Sequence, residues 1–215
     1  MAKRIKYIIG IDEVGRGPLA GPVVVAALAV PTKLRIKNAE LRKNFKSAKL
    51  RDSKKLSLKQ REIWFEYVKK HPKIFYAIAS VSPKVIDKIN ISNAANLAAT
   101  RAFQKLVNSY AIASVLTRRR AKIFLDGGLY FPKFLNSKSY ILNSRTIIRG
   151  DEKIPAIALA SIVAKVTRDR MMRKLHKKYP QYGFDKHKGY GTKKHFKAIR
   201  KHGLSPIHRK SFRIK

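Results

Sequence analysis

The sequence predicts an α/β protein, a sheet covered by helices with a strongly basic C-terminal part packed alongside. Three observations lead there. Apolar, β-branched runs alternate with segments of helical periodicity along the 215 residues. One run, Val23-Val24-Val25-Ala26-Ala27-Leu28-Ala29-Val30, is apolar throughout, as a strand covered on both faces must be. The third is the ending of two such runs in carboxylates, Asp12-Glu13 and Asp126, at positions where an open sheet builds its sites.

Residues 7–13 and 23–30 read as two strands around a turn holding Gly15, Gly17, Pro18, Gly21 and Pro22. The glycines do not form a dinucleotide fingerprint, which requires a helix after them; here a second strand follows, so the turn is a hairpin-like connection. Residues 31–56 are basic and weakly periodic, and are expected to run over the surface. Ser57-Leu58-Lys59-Gln60 has the form of a capping box, opening a helix that carries Ile63, Trp64, Tyr67 and Val68 and stops before Pro72. Phe75 to Val81 reads as a strand, and Ser82-Pro83 as an N-cap with proline at the first helical position. Residues 92–109 carry Ala95, Leu97, Ala98, Ala102, Leu106 and Val107 near helical spacing. Ile123-Phe124-Leu125 is a short buried strand. Residues 129–148 are ambiguous apart from a possible strand at 144–148. A long helix is expected from Pro155 to about Lys178, followed by a short helix with Thr192 as its N-cap. No repeat or low-complexity linker divides the chain, so residues 1–215 are expected to form one domain, with a basic helical segment from about 180 to 215.

Charge narrows the function. Fifty Lys and Arg against twelve Asp and Glu give a formal net charge of +38. Such a chain repels itself without an anionic partner, and nucleic acid is the expected one. The chain has no cysteine, which excludes disulfides and thiol catalysis and fits a reducing compartment. No apolar run is long enough to cross a bilayer, so a cytoplasmic protein without a membrane partner is expected.

With so few acids, each can be weighed. Asp12, Glu13, Asp126 and Asp151 sit at strand ends or just before the long helix. A salt bridge to one of the many lysines would explain any one of them. Four at element ends in so basic a chain favour a divalent metal site, because Mg²⁺ takes oxygen ligands and shares them with phosphate. Two such ions about 3.5–4 Å apart activate a water and stabilise the leaving oxygen in phosphodiester cleavage. Adjacent strand residues point to opposite faces, so Asp12 and Glu13 can share a site only if the strand ends or bulges there. Glu40, Glu62, Glu66, Asp87 and Asp185 have surface-like neighbours, and Asp169 in Thr167-Arg168-Asp169-Arg170 is expected to pair with arginines. The six histidines show no zinc-site spacing.

Gly10-Ile11-Asp12-Glu13-Val14-Gly15-Arg16-Gly17-Pro18-Leu19-Ala20-Gly21-Pro22-Val23 resembles the signature of the ribonuclease HII family. Further segments follow in the family's order: Asp52-Ser53-Lys54-Lys55-Leu56-Ser57, Leu125-Asp126-Gly127, Gly150-Asp151 with Ala160 to Asp169, Tyr182-Gly183-Phe184 with His187 to Tyr190, and His202-Gly203 with His208 to Phe212. The resemblance implies an RNase H-like fold, a mixed five-stranded sheet flanked by helices with a helical C-terminal part. It implies cleavage of the RNA strand of RNA–DNA hybrids and of single ribonucleotides in duplex DNA, on the 5′ side, leaving 3′-hydroxyl and 5′-phosphate ends. Asp12, Glu13, Asp126 and Asp151 would be the metal-binding catalytic residues, with Mg²⁺ or Mn²⁺ in a two-metal mechanism. Gly15, Arg16 and Gly17 would read the ribose 2′-hydroxyl, chiefly through backbone groups; Tyr190 would pack on the sugar and Lys54 would contact a phosphate. A monomer without a small-molecule cofactor is expected. The Gly-Arg-Gly turn argues against the sister family, ribonuclease HIII. A passive basic nucleic-acid-binding protein is the alternative, and acids at the centre of a phosphate-binding face count against it unless a metal intervenes.

Overall fold

The computed structural model describes residues 6–33, 56–108, 112–113, 121–131 and 144–213. The predicted connection 31–56 falls mostly outside them, as do Lys54 and Glu40.

Strand β1 (Tyr7–Val14) pairs antiparallel with β2 (Val23–Pro31), which pairs antiparallel with β3 (Phe75–Val81). On its other side β1 pairs in parallel with β4 (Ala121–Asp126), and β4 in parallel with β5 (Ser144–Ile147). The sheet is therefore mixed and five-stranded, in the order β3-β2-β1-β4-β5. The turn between β1 and β2 is the antiparallel connection expected from its glycines and prolines.

Strand alternation sorts the core into two layers. Val23, Val25, Ala27 and Ala29 of β2, with Ile9 and Ile11 of β1, pack against the helices α2 (Pro83–Ile89) and α3 (Ile91–Val107), chiefly through Ile86, Ala95, Ala98, Ala102 and Phe103. Ala26, Leu28 and Val30 point the other way, onto Trp64, Phe65 and Val68 of α1 (Leu58–Lys70) and Leu159, Ile162 and Val163 of a later, longer helix. All nine residues of β2 but Pro31 are buried, as its unbroken apolar composition requires.

Local signals fix the helix ends. Ser57 Oγ accepts from the Gln60 N–H at 3.2 Å while Gln60 Oε1 accepts from the Ser57 N–H at 2.8 Å, closing the expected capping box. Ser82 occupies the N-cap of α2 with Pro83 behind it, but its side chain makes no capping bond. After β5 the chain forms a single-turn helix, α4 (Gly150–Lys153), before the long helix α5 (Pro155–Lys178). Asp151 therefore belongs to its own short helix rather than to the lead-in of the long one. No helix among the described residues is long and apolar enough to cross a membrane.

The long helix crosses β1 at very short range. A Cβ on Gly10 would stand 2.2 Å from the carbonyl carbon of Ala156, so only glycine lets this strand and helix meet. Beyond α5 come a 3₁₀ turn (Pro180–Tyr182), α6 (Phe184–His187) and α7 (Lys193–His202), the last capped by Thr192 Oγ1 as expected. These elements enclose a third apolar cluster, with Leu19 and Ala20 from the β1–β2 turn packed against Met172, Tyr182, Phe184 and Ile199. The C-terminal part thus closes over the turn that follows the carboxylates.

Candidate active site

Asp12, Glu13 and Asp126 converge at the sheet edge, each offering a carboxylate oxygen within 4.8 Å of the others. The expected end or bulge in β1 is absent: Asp12, Glu13 and Val14 stay in register with Ala26, Val25 and Val24 of β2. What opens the site is the other neighbour. The β1–β4 ladder stops at Ile11 and Leu125, so Asp12 and Glu13 leave opposite faces of a strand with no partner on that side, beside Asp126 at the end of β4. The Asp12 side chain folds back, its Oδ1 accepting from the Glu13 N–H at 2.7 Å.

The cluster is held from behind. Asp126 Oδ1 accepts from the Gly150 N–H at 2.7 Å, which brings the start of α4 to the site. Ser161 of α5 hydrogen-bonds to Asp12. Arg16 lies 3.4 Å from Glu13 Oε1 and also donates to the Gly128 carbonyl and Ser92 Oγ. Asp151 is one residue past Gly150 and outside the group of three; the structure brings three of the four expected carboxylates together.

Electrostatics make the cluster unsatisfied as it stands. Burial, then Glu13 and Asp126, push the Asp12 carboxyl well above the usual carboxylate range. Burial also raises Glu13, against the lowering effect of Arg16. Glu13 Oε2 is buried with no hydrogen-bond partner. Three acids crowded at one strand end, one with an orphaned oxygen, fit a hard divalent cation: it would supply the missing partner and cancel the repulsion.

The turn beside the cluster is shaped by two fully buried arginines. Arg168 of α5 donates to the carbonyls of Pro22, Ala20 and Lys188. Arg209 donates through Nε and Nη2 to Gly21, through Nη1 to Arg16 at 2.8 Å and through Nη2 to Gly15 at 2.6 Å. Both arginines lie in segments that carry the family resemblance, but the sequence assigns neither of them a role. Burial, then Arg168, lower the Arg209 pKa to about 9, so it stays charged at neutral pH. Asp87 of α2 fixes the segment after Arg209 by accepting from the N–H groups of Lys210 and Ser211. Asp87 is thus an anchor rather than an idle surface acid. Asp169 is buried and pairs with Lys165 at 2.9 Å instead of with an arginine.

Tyr190 is 42% exposed, and its ring lies next to Gly17, where an added Cβ would be 3.9 Å from its Cε1. Its carbonyl accepts from His195 Nδ1 at 2.9 Å. Gly15, Arg16, Gly17 and Tyr190 therefore form one rim beside the carboxylates.

Comparison with known proteins decides the family. The family model described as Ribonuclease HII matches residues 9–215. The chain belongs to the ribonuclease HII family. It is 44% identical to Ribonuclease HII of Endomicrobium trichonymphae over 95% of this chain and 84% of the relative. It is 43% identical to that of Bacillus mycoides (strain KBAB4) over 98% and 70%. Among solved structures, the ribonuclease H2 of Pyrococcus horikoshii OT3 superposes with a TM-score of 0.68 at 27% identity, covering 97% of this chain and 94% of that one. Ribonuclease HII from Archaeoglobus fulgidus, solved as a complex with PCNA, superposes at 0.63 and 27%, covering 97% and 96%. Membership makes this chain a type 2 ribonuclease H, a divalent-metal-dependent endoribonuclease acting on the RNA of RNA–DNA hybrids.

Proposed function

We propose that this ribonuclease HII cuts on the 5′ side of a ribonucleotide, in hybrids and at single ribonucleotides embedded in duplex DNA, and so serves their removal from DNA. The observation that carries this is the juxtaposition of the Asp12–Glu13–Asp126 cluster with the Gly15–Gly17 turn and the Tyr190 ring.

Asp12, Glu13 and Asp126, with Asp151 completing the set, would hold Mg²⁺ or Mn²⁺. Held there, such ions would supply activation of a water and stabilisation of the departing oxygen. Water attacks the phosphorus 5′ to the ribose, the O3′ of the preceding nucleotide leaves and takes a proton, and a 5′-phosphate stays on the ribonucleotide. The 2′-hydroxyl is not the nucleophile, because it is poised to attack only the phosphate on its own 3′ side. It is a recognition handle, and the group that separates RNA from DNA at this position.

The chain's own groups do the orienting. Arg16 keeps its guanidinium on Glu13, Gly128 and Ser92, which leaves the backbone of the turn to face the sugar. Tyr190 offers an apolar ring to the same sugar. Lys54, outside the described residues, would meet a phosphate. The basic surface supplies affinity without sequence preference.

The test is a DNA duplex carrying one ribonucleotide, incubated with Mg²⁺ or Mn²⁺ and with EDTA. A metal-dependent cut 5′ to the ribonucleotide is expected, with 3′-hydroxyl and 5′-phosphate ends. Cleavage of continuous hybrids alone would refute the single-ribonucleotide activity, and tight binding without cleavage would favour a passive binder.

A further inference from the structure

We infer that Arg209 is a positioning residue for ribose recognition: its guanidinium sets the peptide planes of the Gly15–Gly17 turn so that two N–H groups face the substrate. This deepens the reading proposed above for the turn and rests on it.

The geometry is direct. In a trans peptide the C=O and the following N–H point in opposite directions. Arg209 takes the Gly15 carbonyl at 2.6 Å and the Arg16 carbonyl at 2.8 Å into the protein. The N–H groups of Arg16 and Gly17 belong to those same two peptides, so they point away from Arg209. Neither N–H has an acceptor among the described residues. Gly17 itself is exposed, and Tyr190 lies on its open side. Two adjacent donors aimed outward beside an aromatic ring are suited to a hydroxyl oxygen on a sugar packed against that ring.

Only an arginine can do this. Its planar fork reaches Gly15, Arg16 and Gly21 at once with fixed angles, whereas a lysine ammonium is a point donor. The fork itself is fixed: Phe212 lies under the guanidinium at 4.9 Å, and Asp87 clamps the two residues that follow.

Arg168 supplies an internal control. It is equally buried and also binds three carbonyls, but those of Pro22, Ala20 and Lys188, and none from the two peptides in question. Both arginines should matter for stability; only Arg209 should matter for telling ribose from deoxyribose.

The experiment measures binding, without metal, of two duplexes that differ only by one 2′-hydroxyl, for the wild type, Arg209→Lys and Arg168→Lys, with melting temperatures alongside. The wild type should prefer the ribonucleotide duplex. Arg209→Lys should lower that preference about tenfold while affinity for the all-DNA duplex holds. Arg168→Lys should lose melting temperature and keep the preference. Equal loss of preference in both variants, or an unchanged preference in Arg209→Lys, overturns the inference and leaves the proposed activity standing. A wild type that does not distinguish the two duplexes overturns the ribose-reading function of the turn itself. If Arg209→Lys does not fold, amide resonances of the wild type decide. The Arg16 and Gly17 N–H signals should shift on adding the ribonucleotide duplex and not the all-DNA one, and no difference between the two refutes the assignment.

Discussion

His208 Nε2 lies 3.0 Å from His195 Nε2, and the surrounding bonds fix both rings as neutral. The Tyr190 carbonyl can only accept, so His195 Nδ1 carries a proton and its Nε2 does not. His208 Nε2 must then donate, and its Nδ1 accepts from the Ser205 N–H at 2.9 Å. A proton added to either ring would set two donors against each other. His187, stacked on His195, donates to the Tyr182 carbonyl and accepts from the Gly189 N–H. The chain of bonds ends at Tyr190, so the rim beside the carboxylate cluster is tied to buried neutral imidazoles.

Acid should therefore loosen this region. Burial first, then the neighbouring histidines, lower the His195 pKa to about 4. Between the unfolded value of about 6.5 and that figure, the unfolded chain binds the proton and the folded chain does not, so the contribution is complete above pH 6.5 and falls as pH drops. The stability advantage of the wild type over His195→Gln, from urea unfolding, should shrink by up to about 1.4 kcal/mol per pH unit across this window. A constant difference from pH 7 to 4.5 would contradict the neutral pairing.

Gly10→Ala tests the strand–helix contact that carries Asp12. The added methyl would overlap the Ala156 backbone, which has no side-chain freedom to yield. A loss of about 3 kcal/mol or more is expected, at the upper end of overpacking costs. A variant as stable as the wild type would mean that β1 and α5 do not meet so closely.

Local signals carried most of the fold. The unbroken apolar run of β2, the capping box at Ser57 and the proline starts of α2 and α5 each state their own conformation in a few residues. The carboxylates were legible because Asp12, Glu13 and Asp126 end apolar runs. How Asp12 and Glu13 meet was not, since that depends on where the β1–β4 ladder stops, a matter of pairing between residues more than a hundred positions apart. Arg168 and Arg209 were hidden for a different reason. Both fall in segments that resemble the family, but a guanidinium that binds carbonyls leaves no periodicity, and in a chain of charge +38 composition cannot separate it from the surface. The histidine pair escaped for the same cause: two imidazoles thirteen residues apart show neither metal spacing nor a carboxylate partner.

The basic surface predicts a steep salt response. Binding of a hybrid duplex should weaken with log Kd rising by about 0.9 per phosphate contact for each tenfold increase in salt. Fluorescence anisotropy between 50 and 300 mM salt, taken without divalent metal, reads the slope, and a flat line would remove the surface charge as the source of affinity.

Tyr190→Ala should reduce kcat/KM at a single embedded ribonucleotide by about tenfold or more, the equivalent of ~1.4 kcal/mol of lost sugar packing. Tyr190→Phe keeps the ring and should stay within a few-fold of wild type. Equal effects of both substitutions would assign the contribution to the hydroxyl instead of the ring.

Asp126→Asn separates the metal site from binding. Asn Oδ1 can still accept from the Gly150 N–H, so the end of β4 and the start of α4 should keep their places. Removing the charge relieves the repulsion that Asp126 exerts on Asp12 and Glu13, so the metal-free variant should be more stable than metal-free wild type. Saturating Mg²⁺ or Mn²⁺ should raise the melting temperature of the wild type and do so far less for the variant, because binding to the folded state alone is what stabilises. Cleavage should fall at least about 10³-fold, some 4 kcal/mol of lost transition-state stabilisation, while hybrid affinity stays the same or rises. Retained cleavage would mean the cluster is not the catalytic metal site. Lost cleavage together with lost affinity and lost stability would mean that Asp126 is a structural acid held by Gly150.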